Sequence, residues 1–167
     1  MKAIAERAVV SRQTVYRWWS SPAEVLLEAS ILDAEAELHV DDGPTDRMAA
    51  DYLQRLGEFL TRSDAGLAYR ALLGAAQQDA QVAALLDQTP DPIRASALPI
   101  ARAACRATAL HEELETAAAA LVGPVLFETL TRSRVDPHEL QQLAQNWNAA
   151  WNHFDPSTTR AGTHPSP

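Results

Sequence analysis

From Ser11 the chain runs Ser-Arg-Gln-Thr-Val-Tyr-Arg-Trp-Trp, a stretch crowded with hydrogen-bonding and cationic side chains. Arg12, Gln13, Thr14, Arg17 and Trp18 can serve base edges and phosphates, Arg being suited to guanine and Gln to adenine in a major groove. Charge supports that chemistry. The first 19 residues hold Lys2, Arg7, Arg12 and Arg17 against Glu6 alone, a local +3, while the other 148 residues carry −11, for a net charge of −8. Basic charge confined to one small element of an acidic protein is what local phosphate attraction requires. An exposed amphipathic helix with merely solvated arginines has the same periodicity, and spacing alone leaves both readings open.

Other chemistry finds little support. His39, His111, His138, His153 and His164 show neither HxxxH nor HExxH spacing, and with the one cysteine, Cys105, they give zinc no framework. Glu112, Glu113 and Glu115 follow His111 where a helix begins, a place that suits solvated carboxylates facing the dipole. No GxSxG, glycine-rich phosphate loop or dinucleotide fingerprint occurs. Neither an enzyme, a cofactor nor a metal is expected. A lone cysteine forms no intramolecular disulfide, which fits a reducing cytoplasm. No apolar run approaches the ~20 residues of a membrane span, and Glu6 and Arg7 interrupt any signal-like start. An overall pI near 5.0 argues against coating nucleic acid or an anionic membrane with the whole surface.

The elements that must position these residues are helices. Only 6 glycines occur in 167 residues, period-two alternation is absent, and Ala, Leu, Glu, Gln and Arg dominate, so an all-α fold is expected. A first helix spans about 1–9, and Ser11 can cap a second through Trp19. Ser21-Pro22-Ala23-Glu24 reads as a capping box opening a helix to about Leu38. A break follows at 39–45, after which Thr45 can cap a helix bearing Tyr52, Leu56, Phe59 and Leu60. Helical patterns resume at about 65–76 and 79–87, then, punctuated by Pro90, Pro92 and Pro99, up to about Ala109. Leu114, Leu121, Val122, Val125 and Leu130 mark another helix, interrupted by Gly123-Pro124, and a last runs from Asp136 to Phe154. These divide the chain into a head at 1–40, a larger helical domain at 45–154 and a Pro/Ser/Thr-rich tail at 155–167, expected to be disordered.

The wording of residues 4–29, IAERAVVSRQTVYRWWSSPAEVLLEA, resembles the signature of the TetR family of transcriptional regulators. Ile4-Ala5, Ala8, Val10-Ser11, Thr14, Tyr16, Trp18 and Trp19 fall in step with it, and 71–79 and 121–127 resemble the regulatory domain of one of its subgroups. The resemblance implies a helix-turn-helix head on double-stranded DNA. Ser11 then caps the recognition helix, Thr14 and Tyr16 touch the DNA backbone, Arg12, Gln13, Arg17 and Trp18 face the groove beside Lys2, and Trp19 packs under the head. Three departures from the pattern point to weakened binding. The family has a further helix before this point; Val9 stands where a turn glycine is usual; Pro22 replaces a phosphate-binding lysine.

The resemblance further implies a homodimer whose regulatory domain answers a small-molecule effector, most often as a repressor. Apolar candidates for the effector pocket are Tyr52, Leu56, Phe59, Tyr69, Leu72, Leu73, Leu86 and Ile100, each of which equally suits the core. Trp147, Trp151 and Phe154 form one stripe, either core or subunit interface. With Leu121, Val122, Val125, Leu126 and Leu143 they are expected to pair two copies through the last two helices. The alternative is a dimerising or ligand-binding relative that no longer holds DNA.

Overall fold

The alanine-rich, glycine-poor chain forms helices through nearly all of residues 1–105, 108–132 and 134–151, the part that the computed structural model describes. They are α1 (Lys2–Arg7), α2 (Arg12–Trp18), α3 (Pro22–Glu37), α4 (Thr45–Arg62), α5 (Asp64–Ala75), α6 (Ala80–Gln88), α7 (Pro92–Ala104), α8 (His111–Arg132) and α9 (Pro137–Trp151). No strand occurs among the described residues, so the fold is all-α, as the composition requires. The tail and Phe154 lie outside them.

α4 organises the core. Tyr52, Leu53, Leu56, Phe59 and Leu60 recur on one stripe and are fully buried, each worth roughly 1.5–3 kcal/mol of transfer free energy. Around this stripe pack α5, α7, α8 and α9, with α3 laid across α5 and α7. The break at residues 38–44 therefore separates helices without separating cores: Leu27 and Ala34 of α3, and Leu38 just after it, belong to the same cluster as Phe59, Ile100 and Val125. Two buried phenols fix the start of α7. The Tyr52 hydroxyl donates to the Ile93 carbonyl at 2.9 Å, and that of Tyr69 donates to Asp91 Oδ1 at 3.0 Å. Burial pushes both hydroxyls well above the ordinary phenol range, so they serve as neutral donors. Asp91 in turn caps α7 by accepting the Ile93 and Arg94 amides.

Several local expectations are corrected. Thr45 caps nothing; Pro44 holds the N-cap position without a side-chain bond. Gly123-Pro124 does not interrupt α8, because both residues are exposed and the carbonyl freed by the proline four residues on faces water. The capping box is shifted by one residue. Ser21 Oγ accepts the Glu24 amide at 3.2 Å, but the Glu24 carboxylate turns to the hydroxyl and amide of Ser20, which hold it below the usual carboxylate range. By length and composition α8 is long and apolar enough to cross a membrane, contrary to the reading that no apolar run approaches such a span. In the fold its apolar face, including Leu114, Leu121, Val122 and Val125, is spent on the neighbouring helices.

Candidate nucleic-acid interface

The head is α1 and α2, joined by a tight turn at Ala8–Val10. The Val10 amide reaches the Ala5 carbonyl at 3.0 Å and the Val9 amide reaches that of Glu6 at 3.3 Å, the paired closure that needs a left-handed residue between them. That residue is Val9, at φ 55. A left-handed L-residue costs about 1–2 kcal/mol, more readily borne by glycine. The Val9 side chain is 90% exposed, so it returns no packing. Val9→Gly is expected to stabilise the head by about 1 kcal/mol after glycine's extra freedom in the unfolded chain is deducted. Amide hydrogen exchange at Ala5 and Val15 reads this directly; faster exchange in the variant would contradict it.

Ser11 opens α2. Its backbone is extended, its Oγ accepts the Thr14 amide at 3.0 Å, and the two hydroxyls lie 2.8 Å apart, an arrangement that satisfies an otherwise orphaned donor. Val15 is the buried residue of α2; with Ala5 it lies outside the main cluster. At 3.6 residues per turn, Gln13 and Arg17 stand opposite Val15 on the helix. Both are exposed, and with Ser11, Thr14 and Tyr16 they line one shallow depression of ≈ 560 Å³. The Arg17 guanidinium lies over the Trp18 ring, 5.6 Å from its centroid, which favours an extended, outward arginine. Tyr16 and Trp18 remain 56% and 68% exposed.

Not every candidate converges there. Arg12 and Trp18 are exposed but do not line the depression. Lys2 sits on α1, 3.8 Å from Glu6 Oε1. Trp19 is half-buried, and its Nε1 donates to Glu28 Oε2 of α3 at 2.5 Å. Glu28 ties the head to the body, and sequence reasoning passed over it because a helix-surface glutamate carries no distinguishing signal.

No family model matches the chain. Over 148 residues it is 30% identical to the uncharacterized HTH-type transcriptional regulator YdeS of Bacillus subtilis (strain 168), an alignment covering 86% of this chain and 74% of that relative. The chain belongs to the HTH-type transcriptional regulators. In this regulator α1, the Val9 turn and α2 have the form of the helix-turn-helix for which the family is named.

Most of the remaining candidate residues of the regulator are buried within the chain. Tyr52, Leu56, Phe59, Tyr69, Leu72 and Ile100 are all buried in the core, with Leu73 and Leu86 half-buried against it. An apolar stripe at helical spacing packs inward on its neighbours, which places these side chains in the core. Ile100 alone lines the best-formed cleft, ≈ 460 Å³ between α3 and α7. That cleft has no signal in sequence, since its walls come from segments some fifty positions apart. Leu121, Val122, Val125 and Trp147 are likewise buried within the single chain, the Trp147 Nε1 donating to the Ala117 carbonyl at 2.9 Å. Leu126, Leu143 and Trp151 are half-buried; Leu130, one of the apolar positions that mark α8, and Phe127 are 46% and 64% exposed.

Proposed function

We propose that this HTH-type regulator is a TetR-like homodimeric repressor that sets α2 into the major groove of an operator and leaves it when a small molecule binds the helical body. The observation that carries the reading is the outward face of α2, Gln13 and Arg17 opposite a buried Val15, on a head of charge +3 in an acidic protein. Local phosphate attraction brings the head to DNA and the two long polar side chains reach base edges. Release follows from population shift, an effector favouring the arrangement of heads that fits the operator less well. Such a protein works in the cytoplasm, beside the chromosome.

Pairing is assigned to the outer faces of α8 and α9, through Leu126, Phe127, Leu130, Leu143 and Trp151. Exposed and half-buried apolar side chains on two adjacent helices are what a second copy would cover. Phe127→Glu with Trp151→Glu is expected to convert dimers to monomers in sedimentation at micromolar concentration, while far-ultraviolet circular dichroism stays unchanged. A parent chain that sediments as a monomer removes the dimer from this reading.

The strained Val9 turn, together with a proline at position 22 that has no charge to offer phosphate, favours a second reading in which the head no longer grips DNA. Gel shifts with duplexes selected from a random pool decide between them. Enrichment of one sequence supports the repressor; failure to enrich any supports the second reading.

A further inference from the structure

The cleft between α3 and α7 has the size of a small-molecule site, ≈ 460 Å³. Its walls are aliphatic: Ile31 of α3, Val40 of the loop after it, and Pro92, Pro99 and Ile100 of α7. No Phe, Tyr or Trp lines it. The charged lining residues are Glu35 and Asp42, both exposed at the rim, with His39 between them in sequence. No Lys or Arg is among the lining residues; on the α7 side, Arg94 is 3.8 Å from the Asp91 carboxylate. Ser96, the remaining polar wall residue, is committed to the Ile93 carbonyl at 2.8 Å and the Tyr52 hydroxyl at 2.9 Å.

We infer that this cleft binds an organic cation with an aliphatic body, its ammonium group held by Glu35 and Asp42 and its hydrocarbon against the Ile31, Pro92, Pro99 and Ile100 walls. Two carboxylates at the mouth repel an anion of the same shape, and a neutral molecule leaves them uncompensated by any gain. The apolar floor excludes small hydrated cations, which would exchange their water for hydrocarbon. The site also has a route to the head. α3 forms one wall, and α3 holds Trp19 through Glu28 and the head's exit through Ser20, Ser21 and Glu24. A ligand wedged between α3 and α7 therefore acts on the helix that carries the head. This last step rests on the effector-responsive reading; the binding itself does not.

Isothermal titration of the full chain, without DNA, tests the assignment with octyltrimethylammonium and octyl sulfate, equal tails of opposite charge, both below micelle formation. One cation per chain is expected, bound at least about tenfold more tightly than the sulfate, or about 1.4 kcal/mol. Glu35→Gln with Asp42→Asn should abolish that preference. Both positions are exposed and outside the core, and the pair removes only 2 of 22 acidic residues, too few to alter diffuse attraction to the whole surface. Ala95→Trp, at an exposed wall position, should fill the cleft and eliminate binding. Equal affinity for the two head groups, or cation binding unchanged in both variants, overturns the assignment. Cation binding that leaves a selected operator complex intact would instead sink the effector-responsive reading and leave the cleft's chemistry standing.

Discussion

Gly66→Ala is expected to destabilise the folded chain by roughly 3 kcal/mol or more, the upper range for overpacking. Gly66 is buried on α5, and a Cβ added there would stand 2.0 Å from the Phe59 carbonyl oxygen, 2.6 Å from its carbon and 3.1 Å from Leu60 Cα. These are backbone atoms of the last turn of α4, so no side chain can swing aside. The Phe59 carbonyl already accepts the Ser63 amide at 3.2 Å, closing α4, and the Leu60 carbonyl accepts Arg70 Nη1 at 3.1 Å. α5 cannot retreat either, because Ser30 Oγ of α3 donates to the Ala65 carbonyl at 3.0 Å in the buried contact of these helices. The same helix supplies the control. Gly74 is exposed, and nothing lies within 4 Å of a Cβ built on it. Gly74→Ala should therefore stabilise by about 1 kcal/mol through helix propensity. For a chain of this size the pair should differ in Tm by roughly 8–16 °C. Indistinguishable thermal melts for the two variants would show that the α4–α5 approach is looser than described.

Arg17→Ala is expected to cost operator binding on the order of 1–3 kcal/mol and to relax specificity at one base position. Arg17 stands opposite Val15, exposed, with its guanidinium over Trp18, so the variant loses a charged fork without disturbing the packing of α2. Tyr16→Phe should behave differently: losing a hydroxyl to phosphate weakens every sequence alike. Arg132→Ala is the comparison for charge alone. That arginine lies at the end of α8, 3.3 Å from Glu128 Oε2, and its loss should leave binding nearly unaltered. Affinities measured on a selected duplex and its single-base variants separate the three effects. If Arg17→Ala weakens all duplexes in the proportion that Tyr16→Phe does, Arg17 touches phosphate and reads no base.

What the amino-acid sequence determined by itself was local. Helix type follows from Ala, Leu, Glu and Arg at low glycine content, and the structure is helical as expected. The Ser11 cap needs only a hydroxyl three residues before an amide, and the positive φ at Val9 follows from a turn too tight for any other closure. Gln13 and Arg17 face away from Val15 because 3.6 residues per turn leaves them nowhere else to face. These features depend on neighbours within a few residues, and a linear reading sees them.

The tertiary structure decided which apolar residues were spent. Trp147 and Val125 have the same pattern as Trp151 and Leu130, yet the first pair is buried between the helices and the second is left half-buried or exposed. Periodicity marks a face as apolar but not what lies against it. For the same reason the sequence does not show that Tyr52 and Phe59 are taken up by the core, or that a cleft lies between α3 and α7. Gly66 reads like any helix-weakening glycine until Phe59 is found 2.0 Å from its missing Cβ. Contacts between residues far apart in the chain depend on how helices are brought together, and only packing in three dimensions sets that.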